Sequence, residues 1–224
     1  MNRESKNVIM ITAGGVGRRF GANVPKQFLL LNGKPVIEYV IDACKASKLA
    51  DEIVVVSDSQ YHDELTLKYQ VDVEISGSEL NITKRNGLNY IKRNSSCEKL
   101  VVVEAVRPTI TPEIIDKTFE LLDENDAVAC ARKITDSLGS YEQWIVNREN
   151  YYTLNPPEGF RFDLLERNFS ADSPYTESIQ QLPEAARVYL NFDAPYFEKI
   201  TYPGDLERIE LLIRGRYHGV EKDN

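Results

Sequence analysis

The sequence has few of the side chains that build metal sites, disulfide frameworks and histidine-based catalytic sites. Its 224 residues include only three cysteines and two histidines. Cys44, Cys97 and Cys130 are widely spaced and form no C-x-x-C pattern, which favours reduced, buried thiols over disulfides or a zinc site. His62 and His218 lack the spacing of metal ligands and lie far from every motif, so we assign no histidine base.

Long apolar runs and an excess of basic residues are also lacking. The first apolar run follows a polar stretch and is about five residues long, too short for a signal-peptide core or a membrane span. Acidic residues number 35 against 27 basic ones, and the formal net charge of −8 disfavours nonspecific nucleic-acid binding. We therefore expect a cytoplasmic protein that binds neither membranes nor nucleic acid.

Apolar runs rich in β-branched residues recur along the chain. Those at 8–11, 53–56 and 100–103 are continuous rather than alternating, which is typical of parallel strands covered on both faces. Segments with helical spacing lie between them. The alternation predicts an α/β fold, a three-layer α/β/α sandwich with a mostly parallel, Rossmann-like central sheet, whose ligands bind outside the carboxyl ends of the strands.

Helix signals support this order of elements. Thr111 followed by Pro112 predicts a helix start in which the threonine hydroxyl caps the first turn. Leu65, Leu67 and Tyr69 predict the buried face of an earlier helix. Further predicted strands lie at 127–131 and 188–192. Further helices are predicted at 162–167 and, as the closing element, at 204–214.

The stretch from about 132 to 153 has neither a clean helical nor a clean strand period. Tyr141 and Trp144 lie there among polar residues. We interpret it as a protruding arm or β-hairpin excursion from a single domain spanning 1–224. Such an element cannot bury its own apolar face, so we hypothesise that it packs against a second copy of the chain in a homodimer.

The most informative segment is VIMITAGGVGRRFGANVPKQF at 8–28. A short buried strand that ends in a glycine loop lets backbone N–H groups approach a polyphosphate, and the cations that follow can stabilise charge developing during phosphoryl or nucleotidyl transfer. The glycine spacing differs from that of dinucleotide dehydrogenases and the Walker pattern is absent, which disfavours hydride transfer and ATPase activity. A tight turn without a ligand is an alternative for the glycines alone.

AGGVGRRFGANVPKQF resembles the opening signature of the cytidylyltransferases that act on methylerythritol 4-phosphate and on ribitol 5-phosphate. Four further blocks are similar to that family's motifs in the same order: VVVEAVRPTIT at 101–111, TDSL at 135–138, NPPEGFRFDLL at 155–165 and KITYPGDL at 199–206. The resemblance implies a nucleotidyltransferase fold with CTP and a small phosphorylated acceptor as substrates and Mg²⁺ or another divalent cation as cofactor. A phosphate oxygen of the acceptor would attack the α-phosphorus of CTP, and pyrophosphate would leave.

The resemblance also implies roles for individual residues. The catalytic cations would be Arg19, Lys26 and Lys199. The nucleotide would contact Ala13, Gly14, Gly15, Gly17, Gly77, Thr83 and Glu104. The acceptor would contact Arg107, Ser137, Arg148 and Thr176. Glu104 is in addition the candidate metal ligand, Ser137 and Arg148 would reach the neighbouring subunit's site, and a plain helix N-cap is an alternative for Thr83.

Several positions depart from the family pattern, mainly on the acceptor side. Glu104 replaces the usual aspartate, and Leu80 replaces an arginine. Pro156 replaces a threonine and offers neither a hydroxyl nor an N–H, and Phe197-Glu198 replaces asparagine followed by isoleucine or leucine. We therefore expect an acceptor other than methylerythritol phosphate or ribitol phosphate, either another polyol phosphate or a phosphonate. Two alternatives remain: a CTP-binding homologue without turnover, and a nucleotidyltransferase that uses another nucleoside triphosphate.

Overall fold

The computed structural model of the chain describes residues 4–15 and 24–218, with side chains described as far as 215. The strands in these ranges are β1 (Lys6–Ala13), β2 (Leu30–Leu31), β3 (Lys34–Pro35), β4 (Glu52–Ser57), β5 (Asp72–Ile75), β6 (Cys97–Glu104), β7 (Ala127–Lys133), β8 (Tyr152–Arg161) and β9 (Val188–Asn191). The α-helices are α1 (Val36–Lys45), α2 (His62–Tyr69), α3 (Leu80–Asn94), α4 (Pro112–Leu121), α5 (Phe162–Asn168) and α6 (Pro203–His218). No helix among the described residues is long and apolar enough to cross a membrane.

Seven strands form one sheet in the order β5-β4-β1-β6-β8-β7-β9. Neighbouring strands are parallel except where β8 pairs with β6 and with β7. β2 and β3 form a separate antiparallel hairpin. The three continuous apolar runs are the parallel strands β1, β4 and β6 at the centre, because only strands buried on both faces need apolar residues at every position. The predicted α/β fold with a mostly parallel sheet is confirmed.

Helices cover both faces of this sheet. Successive side chains of β1 point to opposite faces, so Ile9 and Ile11 pack with the cluster that includes α1, α2 and α4. Val8 and Met10 pack with the cluster that includes α3 and α5. A third apolar cluster joins α6 to the hairpin through residues such as Ile209 and Leu31. The result is the expected three-layer sandwich.

Some local predictions are wrong. α4 begins at Pro112 as expected, but the side chain of Thr111 makes no capping hydrogen bond with the helix. Leu67 in α2 is 80% exposed and does not belong to the buried face. The sequence also did not predict strand β8, which carries Pro156 and lies antiparallel between two other strands of the sheet.

The arm consists of residues 134–151, between β7 and β8. Strand pairing ends at Lys133 and Tyr152, and within this described stretch the only regular element is the 3-10 turn Arg148–Asn150. The arm is therefore irregular and is not a β-hairpin extension. Tyr141 and Trp144 in it are almost fully exposed.

Candidate active site

A cleft with room for about 180 Å³ of ligand opens at the carboxyl ends of β1 and β6. Parallel strands of an α/β sheet place ligand-binding loops at this edge. Seven residues predicted from the sequence line the cleft: Ala13, Gly14, Gly15, Lys26, Thr83, Glu104 and Lys199. The structure thus brings together residues from five separate segments of the chain.

Close packing explains the glycine at 14. A Cβ atom there would lie 2.4 Å from Ser76 Cβ and 2.8 Å from Thr83 Oγ1, so any side chain would displace the wall of the cleft. Gly77 does not line the cleft, but its N–H donates to Thr83 Oγ1 over 3.0 Å. Since α3 begins at Leu80, Thr83 lies within its first turn and the N-cap alternative is wrong.

Gln27, to which we assigned no separate role from the sequence, holds the glycine loop through two hydrogen bonds. Its Nε2 donates to the carbonyl of Ala13 at 2.6 Å and to that of Gly15 at 3.1 Å. The side chain is 2% exposed, and its Oε1 accepts no hydrogen bond from any described residue. The backbone that would face a polyphosphate is therefore held by the residue next to Lys26.

Glu104 organises the cations on the other side of the cleft. Its Oε1 accepts a hydrogen bond from Lys199 Nζ at 2.7 Å, and its Oε2 accepts one from Arg107 Nε at 2.8 Å. Burial raises the pKa of the Glu104 carboxyl, but the charges and hydrogen bonds of Lys199 and Arg107 outweigh burial and hold the pKa below its ordinary value. Glu104 is therefore ionised at neutral pH and fixes the position of the Lys199 ammonium.

The chain segment before α6 brings Lys199 to this place. The Ile200 N–H donates to the carbonyl of Val106 over 3.0 Å, which attaches the segment to the end of β6. Ile200 itself is fully buried with Val106 and residues of α6. Lys199 stays partly exposed towards the cleft, so its ammonium is available to a ligand.

The residues predicted to bind the acceptor do not line the cleft as the structure describes it. Arg107 is 5% exposed, and its Nη1 donates to the carbonyl of Phe197 at 2.6 Å, so it lies beneath Glu104. Ser137 and Arg148 are exposed on the arm, and Arg148 donates to the carbonyl of Thr135. Their acceptor roles stay predictions.

Three further predicted positions lie away from the cleft or outside the described residues. Thr176 is exposed and lies near α3, where its carbonyl accepts a hydrogen bond from Lys84 in that helix. Arg19 and Gly17 lie outside the described residues. The roles predicted for these three residues remain predictions.

A buried ion pair near the cleft was missed by the sequence analysis. Lys84 Nζ lies 3.6 Å from Glu158 Oε2, and both side chains are almost fully buried. A signal for the burial of Lys84 existed, because it precedes Leu88 by four positions and Ile91 by seven, on one face of α3. Nothing comparable in the sequence identified its partner.

The donor set around the cleft fits Mg²⁺ only with help from a ligand. Two carboxylates line the cleft, those of Glu79 and Glu104, and both oxygens of Glu104 already accept hydrogen bonds from cations. The described residues include no group of three or more histidine, cysteine, aspartate or glutamate side chains that could hold a metal. Mg²⁺ commonly takes one or two carboxylates together with substrate phosphates and water, and Glu104 with a bound triphosphate meets that requirement.

Comparison with known proteins agrees with this geometry. The model of the family described as IspD, 2-C-methyl-D-erythritol 4-phosphate cytidylyltransferase, matches residues 7–214. A protein of that name from Porphyromonas gingivalis is 34% identical over 94% of this chain and 99% of its own length. Another from Azobacteroides pseudotrichonymphae is 32% identical over 92% of this chain and 97% of its own.

Solved structures show the same fold. The 4-diphosphocytidyl-2C-methyl-D-erythritol synthase from Anaerococcus prevotii has a TM-score of 0.78 at 22% identity, with 94% of this chain and 99% of that chain covered. The bifunctional IspDF from Campylobacter jejuni also has a TM-score of 0.78, at 20% identity, with 91% and 54% covered. The resemblance read from the sequence motifs is confirmed. The chain belongs to the IspD family and is a nucleotidyltransferase of the cytidylyltransferase type, which transfers CMP from CTP.

Proposed function

We propose that the chain transfers CMP from CTP to the phosphate of a small polyol phosphate, or to a similar phosphate or phosphonate, and releases pyrophosphate. The observation that carries this proposal is the convergence of the glycine loop, Lys26, Thr83 and the Glu104–Lys199 pair on one cleft. A loop of backbone N–H groups suits a triphosphate, and two lysines placed around it suit the charge that develops on the α-phosphorus.

Catalysis then consists of positioning and charge stabilisation. A phosphate oxygen of the acceptor forms a bond to the α-phosphorus, and the bond from that phosphorus to the bridging oxygen breaks, so the electron pair leaves with pyrophosphate. Lys26 would stabilise charge on the triphosphate side, and Lys199 would stabilise charge on the α-phosphate of the transferred CMP and contact the acceptor phosphate that attacks it. Mg²⁺, held by Glu104 and the phosphates, would supply further charge neutralisation when bound.

An acceptor panel tests both the reaction and the acceptor class. Purified protein with CTP and Mg²⁺ is expected to release pyrophosphate with at least one polyol phosphate or phosphonate. Because Pro156 and Glu104 depart from the family pattern, we expect one of these acceptors to have a higher kcat/KM than methylerythritol 4-phosphate or ribitol 5-phosphate. If methylerythritol 4-phosphate is the best acceptor, the interpretation of these departures is wrong and the reaction type stands.

The same assay separates the two alternatives. A homologue that binds CTP without turnover is favoured by one observation, the engagement of both Glu104 oxygens by cations. It would show CTP-dependent thermal stabilisation and no pyrophosphate with any acceptor. Replacing CTP by UTP, GTP or ATP tests nucleotide choice, and we expect CTP to give the highest kcat/KM.

We also infer that the chain acts as a homodimer through the arm. Tyr141 and Trp144 are almost fully exposed, and the arm, all of which the structure describes, has no strand that could give it a core of its own. Ser137 and Arg148 lie on the arm and not at this chain's own cleft. A second copy that packs against the arm would bury the aromatic side chains and receive those two residues at its own site.

Mixing two inactive variants tests this exchange. Arg148→Ala protein and Lys26→Met protein, combined in equal amounts under conditions that exchange subunits, form heterodimers with one site that has both residues. Since about half of the dimers are then mixed and each has one intact site of two, we expect about a quarter of wild-type activity. Each variant alone is the control, and native mass spectrometry confirms that heterodimers form. Heterodimers without activity would show that each chain completes its own site.

A further inference from the structure

Side chains of α3 hold the segment 173–179, a loop that runs into the 3-10 turn Ser178–Gln181, in a fixed position. Asn81 Nδ2 donates to the carbonyl of Ser173 at 3.0 Å and to that of Tyr175 at 2.9 Å. The same helix begins at Leu80, which lines the nucleotide cleft. The wall of the cleft and the segment 173–179 are therefore parts of one connected unit.

The Lys84–Glu158 ion pair fixes the backbone on both sides of residue 177. Lys84 Nζ donates to the Thr176 carbonyl at 2.8 Å and to Ser178 Oγ at 2.9 Å. The Glu158 carboxylate accepts hydrogen bonds from the N–H groups of Ser178 and Ile179, at 3.2 and 3.1 Å. An ion pair as deeply buried as this one is poor evidence of stabilisation, and its contacts point to a role in holding this conformation.

The strand register places this unit beside the catalytic cations. Glu158 in β8 lies opposite Val102 in β6, and Glu104 follows Val102 by two positions on the same face of the sheet. The charges of Glu158 and Lys84, and those of Glu104 and Lys199, act on the pKa of the Glu177 carboxyl. The segment therefore carries Glu177 to the edge of the site where Lys199 is held.

The Glu177 carboxyl has no hydrogen-bond partner among the described residues, although it is only partly exposed. Burial, together with the Glu158 carboxylate, raises its pKa to about 7. Polar groups in such surroundings are normally satisfied by a protein group, by water or by a ligand. The backbone of Glu177 is thus fixed on both sides, while its carboxyl group has no hydrogen-bond partner in the described part of the protein.

We propose that Glu177 is a specificity-determining residue of the acceptor site, where its carboxyl group binds a hydroxyl of the acceptor close to the phosphate that Lys199 contacts. This inference rests on the proposed function and adds a requirement to it, because the acceptor must carry a hydroxyl within reach of Glu177. A hydroxyl both donates and accepts hydrogen bonds, so it suits a carboxyl group in either protonation state.

Kinetics of Glu177→Ala and Glu177→Gln, with Glu184→Ala as the control, test the assignment. Glu184 is an exposed glutamate in the stretch between the 3-10 turn and β9. We expect Glu177→Ala to raise KM for the best acceptor by about tenfold, the effect of losing one hydrogen bond. KM for CTP should stay within about twofold of wild type, because the proposed contact of Glu177 is with the acceptor and not with the nucleotide.

Two readouts exclude a merely structural role. The glutamine side chain of the Glu177→Gln variant keeps a carbonyl that accepts the same hydrogen bond, so this variant is expected to recover most of the acceptor KM. Deoxy analogues of the best acceptor, each lacking one hydroxyl, should include one whose KM in wild type is raised as much as by Glu177→Ala. For that analogue Glu177→Ala should have no additional effect, which is the signature of a direct contact.

The outcomes are distinct. If the effects of Glu177→Ala and of the missing hydroxyl are additive for every analogue, this inference is wrong. It is also wrong if Glu177→Ala leaves the acceptor KM unchanged. In both cases turnover by the wild type still supports the proposed function. An amino analogue used better than the hydroxyl acceptor would show that the carboxylate selects an ammonium group and would also overturn this inference. If wild type releases no pyrophosphate with any acceptor, the proposed function fails and the assignment of Glu177 fails with it.

Discussion

A Lys26→Met variant is expected to have a kcat more than about a hundredfold below that of wild type, the scale of removing one donor aimed at transition-state charge. Lys26 begins the 3-10 turn Lys26–Phe28 after Pro25, and it lines the cleft next to the glycine loop. Methionine has a similar length and shape, so the substitution removes the charge and leaves the surrounding packing. The fold should be unchanged, because neighbouring Gln27 still holds the loop.

Steady-state pyrophosphate release at saturating CTP and acceptor measures this effect. Lys48→Met is the matched control, because Lys48 is exposed and lies outside the cleft. Circular dichroism and thermal melting establish whether both variants fold like wild type. A kcat for Lys26→Met within about tenfold of wild type would remove this lysine from the set of residues that stabilise the transition state.

A Glu104→Gln variant is expected to lose about 3–5 kcal/mol of the free energy of unfolding, the usual cost of leaving a buried charge without its partner. Arg107 is 5% exposed and donates hydrogen bonds to the Glu104 carboxylate and to the carbonyl of Phe197. Turnover should fall as well, because Lys199 Nζ loses the oxygen that positions it. Urea unfolding at pH 7 measures the first effect and pyrophosphate release measures the second.

The double variant Glu104→Gln with Arg107→Met separates the two effects. Removing the buried charge should recover most of the stability, because a neutral pair carries little desolvation penalty. Turnover should stay low, because Lys199 still lacks its carboxylate partner. A loss of less than about 1 kcal/mol in the single variant would mean that Glu104 and Arg107 behave like an exposed pair.

The pH dependence of stability provides a further check on Glu104. Its pKa in the folded protein lies below the ordinary value of 4.5. The folded state therefore favours the ionised carboxylate, and this stabilisation is complete above the ordinary pKa and is lost as the pH falls through the lowered one. The difference in stability between wild type and Glu104→Gln should accordingly shrink as the pH is lowered through this range.

The sequence predicted the parallel half of the sheet better than the antiparallel strand. Strands buried on both faces leave a continuous apolar run, and β1, β4 and β6 carry this signal. β8 has Asn155, Pro156, Pro157, Glu158 and Gly159 at its centre, residue types that are depleted in strands. Pairing with β6 on one side and β7 on the other makes it a strand, and that context is not visible in a local window of sequence.

The candidate site divides in the same way. The glycine loop and Lys26 are close together in the sequence and form a recognisable motif, so they were predicted. Lys84 meets Ser178 across 94 positions, and no local pattern records such a contact. Glu177 became a candidate only when the structure showed which helix side chains fix its neighbours and which charges surround it.

The position of Glu158 within the sheet has a consequence for folding. β8 joins the part of the sheet that contains β6 to the part that contains β7 and β9, and Glu158 is 1% exposed in this junction. Before α3 docks, closing the sheet around β8 would bury a carboxylate that lacks its ammonium partner, which is energetically unfavourable. Docking of α3 and closure of the sheet thus depend on each other, and the two parts of the sheet should unfold in a single cooperative transition.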